Sequence, residues 1–198
     1  MGHVVVFTNV TLDGVMQAPR RPDEDRRGGF EHGGWATPYA AMAQAGDSMA
    51  DTGALLLGRR TYEDFYDVWP KRKGNPYTAV LENMQKYVAS TTLKEPLPWV
   101  NSTLLEGDAA EAVAELKQEL DKDLVVLGSG ELVQSLMRRN VVDEYVLLIH
   151  PLVLGSGRRL FTDGGAFAAL RLINTNTTAT GVVIATYQAA EPTAGRTT

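Results

Sequence analysis

Two short apolar runs set the terms on which this chain can fold. Ala54–Leu57 closes on Gly58 and Leu124–Leu127 closes on Gly128, and each leads at once into a sequence that starts a helix. A four-residue apolar run beside a glycine suits a strand covered on both faces. A strand that turns straight into a helix is the unit of a parallel sheet, because the chain must cross back before the next strand can run the same way. His3–Thr8, a near-continuous β-branched and aromatic run, fits a central strand of such a sheet. Asp108 with Glu111 starts a helix in an acidic capping arrangement, with Ala109, Ala112, Val113, Leu116 and Leu120 inward. After Leu124–Leu127 comes a helix with Leu132, Val133, Leu136 and Met137 inward, stopped at Asn140. Glu144–Ile149 is a strand, and Leu170–Thr178 with Val182–Gln188 reads as a closing hairpin around Thr180-Gly181. This order predicts one α/β domain over residues 1–188, with a mainly parallel sheet, an antiparallel C-terminal edge, and a polar tail over 189–198.

Composition excludes several functions. A net charge of −5 leaves no general basic field for nucleic acid or anionic lipid. The longest apolar stretch, Tyr145 to Leu154, is broken by His150 and Pro151 and falls short of the roughly 20 residues a membrane span needs. There are no cysteines, which rules out disulfides, cysteine nucleophiles and thiolate metal sites and fits a cytoplasmic protein. No metal site is expected.

The residues that could carry chemistry stand at strand ends. Arg59 and Arg60 follow Gly58, and Thr61 with Asp64 forms a T-x-x-D pattern that predicts a helix start at Thr61. Two guanidiniums beside helix N–H groups make an anion site, since backbone donors and dipole point the same way. The same residues also read as a turn with two solvated arginines. Gly128-Ser129-Gly130 is a second place where an anion could meet a helix start, although position 133 is Val and the third glycine of G-x-G-x-x-G is missing. Ser90-Thr91-Thr92 closes a strand over Lys86–Ala89 and could bond a phosphate or make a simple turn. Asp13, in the Leu12-Asp13-Gly14 turn, lies at the mouth of the sheet, where ligands of open α/β sheets bind, or else bonds its own backbone. Residues 18–34 form a polar loop, either a mobile lid or a disordered insertion. The loop leads into His32 and Trp35, which could close over a flat ring or anchor the loop. Thr37–Met49 reads as a helix with Tyr39, Met42, Ala43 and Met49 inward; Tyr62, Phe65, Tyr66 and Trp69 read as a core stripe; Pro76–Met84 reads as a short helix and Trp99–Leu105 as a strand. Gly155-Ser156-Gly157-Arg158 favours a turn over a ligand loop.

Together, TLDGVMQAP, FEHGGW, LLLGRRTYEDF, KYVAS, LGSGELVQSL, VDEYVLLIHPLVLGSGRRLF and the final TGVV resemble the bacterial dihydrofolate reductase-like proteins related to the reductase domain of the riboflavin-biosynthesis deaminase/reductase. The resemblance covers about residues 3 to 188. It implies a dihydrofolate reductase-like fold, with an eight-stranded sheet between helices, and NADPH as cofactor. It implies that Gly58, Arg59, Arg60 and Thr61 meet the 2′-phosphate and pyrophosphate. Ser90 and Thr91 would lie beside the adenosine phosphate, and Gly128, Ser129 and Gly130, with Glu131 and Leu132, would support the pyrophosphate. Asp13 would lie near the nicotinamide and the substrate, itself or through a water as the proton source, with His32 and Trp35 beside the substrate. There is no H-x-E and no Cys, so the zinc deaminase activity of the riboflavin enzyme is not implied. The helix from Thr37 has no acid before Asp47, which argues against folate. The expectation is an NADPH-dependent reductase of a small heterocyclic or carbonyl molecule. A non-catalytic nucleotide-binding protein and an authentic dihydrofolate reductase are the alternatives. A homodimer is expected, with Tyr145–Leu154 as a candidate interface.

Overall fold

Every residue of Val4–Thr11 is buried, which requires a strand with neighbours on both edges and cover on both faces. A computed structural model describes residues 2–41 and 51–190 and makes this segment, β1, an interior strand of one eight-stranded sheet. The others are β2 (Thr52–Gly58), β3 (Gln85–Ala89), β4 (Ser102–Leu105), β5 (Asp123–Leu127), β6 (Glu144–His150), β7 (Leu170–Thr177) and β8 (Val183–Ala189). Their order is β4-β3-β2-β5-β1-β6-β8-β7. The pairs from β4 across to β6 are all parallel, while β8 runs antiparallel to both β6 and β7. The α-helices among the described residues are α1 (Arg59–Val68), α2 (Pro76–Asn83), α3 (Ala109–Glu119) and α4 (Gly130–Arg138). This is the mixed, mostly parallel sheet with a C-terminal antiparallel hairpin that the alternation of elements predicts.

The two-residue period of β1 divides the core. Val4, Val6 and Val10 pack with Ala110 and Val113 of α3 and with Leu132, Val133, Leu136 and Met137 of α4. Val5 and Phe7 face the other way, toward Tyr62 and Phe65 of α1 and toward Trp99. Helices therefore cover both faces. β5 pairs with β1 only as far as Leu127 opposite Phe7, whereas β6 stays with β1 to Thr11 opposite His150. The sheet thus has a step: Thr8–Thr11 stands clear of the ends of β2 and β5.

Several elements differ from the sequence expectation, each for a local reason. α1 begins at Arg59, two residues before Thr61, and no side chain caps it. Asp64 is committed elsewhere: its carboxylate accepts from Arg20 Nη2 at 2.9 Å and Arg21 Nη2 at 2.5 Å. Those bonds strap the 18–34 loop to α1. The loop is also closed on itself, with Gly34 N–H donating to Ala18 O and Ala36 N–H to Pro19 O. Neither a free lid nor a disordered insertion describes it. Thr37–Tyr39 is a single 3-10 turn that ends at Ala40 in the left-handed region (φ 48), so no α-helix runs on from Thr37; Met42, Ala43, Asp47 and Met49 lie outside the described residues. β4 starts at Ser102, and Trp99 is buried ahead of it with its backbone N–H on Tyr62 Oη. Tyr66 is exposed rather than part of the stripe, stacked on Tyr62. Ala189 completes β8, and Ala190 N–H donates to Ala169 O, so both belong to the sheet margin; residues 191–198 lie outside the described residues. Tyr145, Val146, Leu147 and Leu148 are buried between β1 and β8 and offer no surface for a partner. Among the described residues no helix is long and apolar enough to cross a membrane.

Lys86 tests how the second face is built. It is fully buried, lies 4.6 Å from the centre of the Trp99 ring, and donates to the carbonyls of Leu81 (2.7 Å) and Met84 (2.6 Å) at the end of α2. Burial pushes its pKa down to about 8, so the ammonium persists at pH 7. Lys86→Met leaves those carbonyls without their donor and should cost about 1–3 kcal/mol. A lower urea midpoint at pH 7 is the expected result; an unchanged midpoint would exclude this role.

Candidate functional site

The C-terminal ends of β3, β2 and β5 lie side by side, and each ends in one of the turns singled out above. Two of these turns are physically joined. The backbone N–H of Gly58 donates to Ser129 Oγ (2.8 Å), and Ser129 Oγ is 2.8 Å from Thr61 Oγ1. A Cβ at position 58 would come 2.8 Å from Ser129 Oγ, and one at 128 would come 3.2 Å from Thr61 Oγ1, so glycine is needed for this contact. Gly128 and Ser129 both adopt left-handed backbone (φ 61 and φ 60), which turns the chain sharply from β5 into α4.

The caps separate these helices from the others. Asn75 caps α2 by accepting from Tyr77 N–H, and Asp108 caps α3 by accepting from Ala110 and Glu111 N–H. No side chain caps α1 or α4. α1 starts in the Gly58–Thr61 turn and α4 in the Gly128–Gly130 turn, so the first-turn N–H groups and the positive end of each helix dipole lie there. Two uncapped helix starts on neighbouring strands match the spaced oxygens of a diphosphate. Arg59 lies 3.6 Å from Glu63, with both side chains about half exposed, while Arg60 is exposed and has no ionic partner among the described residues.

The remaining predicted residues divide. Ser90 Oγ accepts from Thr92 and Leu93 N–H, so its oxygen closes its own turn, and Thr91 is the exposed hydroxyl at the end of β3. Leu132 is core, while Glu131 is exposed and accepts from Arg158 Nη1 at 2.8 Å. Gly155-Ser156-Gly157-Arg158 is a turn whose Gly157 presses on Phe30 and Val15. Trp35 is buried among Val15, Ala18, Phe30 and Ala36 with its indole N–H on Gln17 O (2.8 Å), so it anchors the loop. His32 is exposed, edge-on to Phe30. Asp13 is held by its own fold: it accepts from Thr11 Oγ1 (2.6 Å), Gly155 N–H (2.8 Å) and Leu154 N–H (3.2 Å). The Thr11 hydroxyl and the two amides hold its pKa down to about 2 against the cost of desolvation. The carboxylate is therefore ionised near neutral pH, and any proton it helps deliver must come through a water it orients.

Two residues outside the sequence argument occupy the step. Asn9, on the α1 face of β1, lines a cavity of about 170 Å3 with Pro19, Arg20, Ala36, Thr37, Ala40 and Ala41. His150, at the end of β6, is fully buried; its Nε2–H donates to Asn9 Oδ1 (2.9 Å), and Trp35 and Tyr39 meet its ring edge-on, each with centroids 5.1 Å apart. Burial pushes the His150 pKa down to about 4. Nδ1 has no hydrogen-bond partner, which fits a neutral ring protonated on Nε2, because a bare lone pair is cheaper to bury than an unpaired N–H. The one signal in the sequence was polarity: an Asn inside VVVFTNV and a His inside YVLLIHP.

Comparison with known proteins finds relatives in sequence and in fold. The model of the RibD C-terminal domain matches residues 2–184. Protein YyaP of Bacillus subtilis (strain 168) is 31% identical over 149 residues, covering 71% of this chain and 76% of YyaP. A putative riboflavin biosynthesis protein from Shewanella sp. PV-4 superposes with a TM-score of 0.67 at 20% identity, covering 96% of this chain and all of that one. Dihydrofolate reductase from Enterococcus faecalis, in complex with NADP(H), superposes with a TM-score of 0.63 at 13% identity, covering 96% of this chain and 98% of that one.

Proposed function

The chain belongs to the RibD C-terminal domain family, and from that membership we propose that it is an NADPH-dependent reductase acting on a small heterocyclic or carbonyl substrate. The observation that carries this reading is the pair of uncapped helix starts joined through Ser129, beside the exposed Arg60. The first-turn N–H groups of α1 and α4, with Thr61 and Ser129, bind the pyrophosphate. Arg59 and Arg60 read the 2′-phosphate, with Thr91 beside them on the next strand end. When bound, NADPH supplies the hydride. The substrate ring occupies the step beside Asn9, where the neighbouring cavity wall of Ala36, Ala40 and Ala41 excludes water. Trp35 serves this site by holding Ala36 and the loop in place. Asp13, ionised and fixed, orients a water toward the substrate. The cytoplasm is the compartment this reading assigns.

Thermal unfolding with NADPH, with NADH and without ligand tests the cofactor. At a hundredfold excess over its Kd NADPH adds about 2.7 kcal/mol, and at that same concentration the more weakly held NADH should raise the melting temperature less. No rise with either would exclude the reading. Nucleotide binding without turnover is the second reading, favoured by the engagement of Asp13 with its own fold. NADPH oxidation with a panel of pterins, flavin precursors, imines and quinones separates the two. An authentic dihydrofolate reductase would in addition be stabilised by methotrexate.

A further inference from the structure

Arg20 is the one charged side chain among the described residues that line the cavity with Asn9, and it is held on three sides. Its Nε and Nη2 donate to Glu24 Oε1 (3.3 and 3.1 Å), and Nη2 donates also to Asp64 Oδ2 (2.9 Å). Its guanidinium carbon lies 4.3 Å from the centre of the Phe65 ring. Both carboxylates are shielded, with side-chain exposures of 13% for Glu24 and 17% for Asp64. Glu24 also accepts from the backbone N–H groups of Arg20 and Arg21, and Asp64 also holds the Arg21 guanidinium. A guanidinium fixed in this way has little rotamer freedom left to lose when a ligand arrives. Its Nη1 makes no hydrogen bond among the described residues. The rest of the wall offers less: Pro19, Ala36, Ala40 and Ala41 are apolar, and Thr37 spends its hydroxyl hydrogen on Arg20 O (2.7 Å).

We infer that Arg20 is a specificity-determining residue: its Nη1 donates to an uncharged carbonyl oxygen of the substrate, and its clamp by Glu24 and Asp64 turns anionic substrates away. The inference rests on the reading that places the substrate beside Asn9. Two guanidiniums, Arg20 and Arg21, face three carboxylates, Glu24, Asp64 and the exposed Asp23, so no positive charge is left over. A carboxylate or phosphate in the cavity gains a cation only by drawing it from Glu24 or Asp64, which leaves a shielded carboxylate without its partner. It would also stand close to both carboxylates, and like charges repel strongly where water is partly excluded. A neutral carbonyl takes the Nη1 hydrogen bond and leaves every existing pair in place, and a charged donor bonds it more strongly than a neutral one does. The cofactor site has the opposite design, since Arg60 there has no ionic partner among the described residues and is open to a phosphate. The cavity, about 170 Å3, admits a group the size of one six-membered ring, because roughly 150 Å3 holds benzene.

Benzamide and benzoate test this, because they share a ring and differ in charge at the acceptor. The melting temperature of the full chain is followed in titrations with each, with and without saturating NADPH. Benzamide should stabilise the wild-type protein at concentrations where benzoate leaves the melting temperature unchanged. Arg20→Met keeps the stem and loses the donor, and should weaken benzamide by roughly tenfold or more while NADPH still stabilises the protein. Glu24→Gln/Asp64→Asn releases the charge and should reverse the order, so that benzoate binds more tightly than benzamide. The wild-type comparison decides the matter should either variant fail to fold. Benzoate matching benzamide on the wild-type protein, benzamide held equally by Arg20→Met, a folded double variant that still rejects benzoate, or no stabilisation by benzamide would each overturn the inference. Failure of NADPH alone to stabilise the protein counts against the cofactor reading, and the benzamide comparison without NADPH then still decides the role of Arg20.

Discussion

Acidification from pH 6.5 to pH 4 should cost the fold about 3 kcal/mol through one side chain, His150. The unfolded chain takes up this proton near 6.5, whereas burial holds the folded value at about 4. Between these values the unfolded state binds more protons, so stability falls as pH falls. The contribution is complete above 6.5 and lost as the pH passes down through about 4. His150→Phe keeps a ring between Trp35 and Tyr39 but carries no proton. At pH 7 the variant should be less stable by about 0.5–1.5 kcal/mol, because the buried Nε2–H hydrogen bond to Asn9 Oδ1 is lost. Its dependence on pH between 7 and 4 should be much flatter. Urea unfolding at steps across that range measures both, and parallel curves for the two proteins would refute the assignment. Asp13 does not confuse the result, since its contribution is present above its ordinary 3.8 and lost toward about 2.

The fold was legible in the sequence wherever burial was uniform or alternation was regular. β1, β5 and α4 follow from their side-chain pattern because a run such as VVVFT or a spacing such as Leu132, Val133, Leu136 and Met137 has one stable placement. The start of α1 was misplaced because Thr61 and Asp64 match a capping pattern, yet both side chains are drawn off by distant partners, Ser129 and the Arg20/Arg21 pair. Local propensity cannot register a competitor more than 40 residues away in the chain. The same limit hid the His150–Asn9 contact, which joins residues 141 apart through a parallel pairing of β1 and β6. Within Tyr145–Leu154, the part from Tyr145 to Leu148 is buried and Val153 is exposed, a division hidden in the sequence because it does not say which strands lie outside a given one. The pairing of β7 with β8 slips between Leu172 and Asn174, and no single residue of LRLINTNT announces it. The two anion turns, by contrast, were found separately, and the structure adds what joins them: one hydroxyl, Ser129 Oγ, and two glycines that let the turns approach.

Arg59→Ala/Arg60→Ala should abolish the preference for NADPH over NADH while leaving NADH binding in place. A hydrogen bond to a charged group is worth about 1.5–3 kcal/mol, so losing the 2′-phosphate contacts should weaken NADPH binding by roughly 10–100-fold. The two arginines are not equivalent. Arg59 divides its charge with Glu63 at 3.6 Å, whereas Arg60 has no competing carboxylate among the described residues. Arg60→Ala alone should therefore account for more of the loss than Arg59→Ala alone. Glu63→Ala, which releases Arg59, should tighten NADPH and leave NADH unchanged. The contrast between cofactors makes the experiment specific, since a general disturbance of α1 would weaken both through the shared pyrophosphate site. Equal losses for NADPH and NADH in the double variant would mean that these guanidiniums support the helix start and do not read the phosphate, and selection between the cofactors would then have to come from another strand end, with Thr91 next in line.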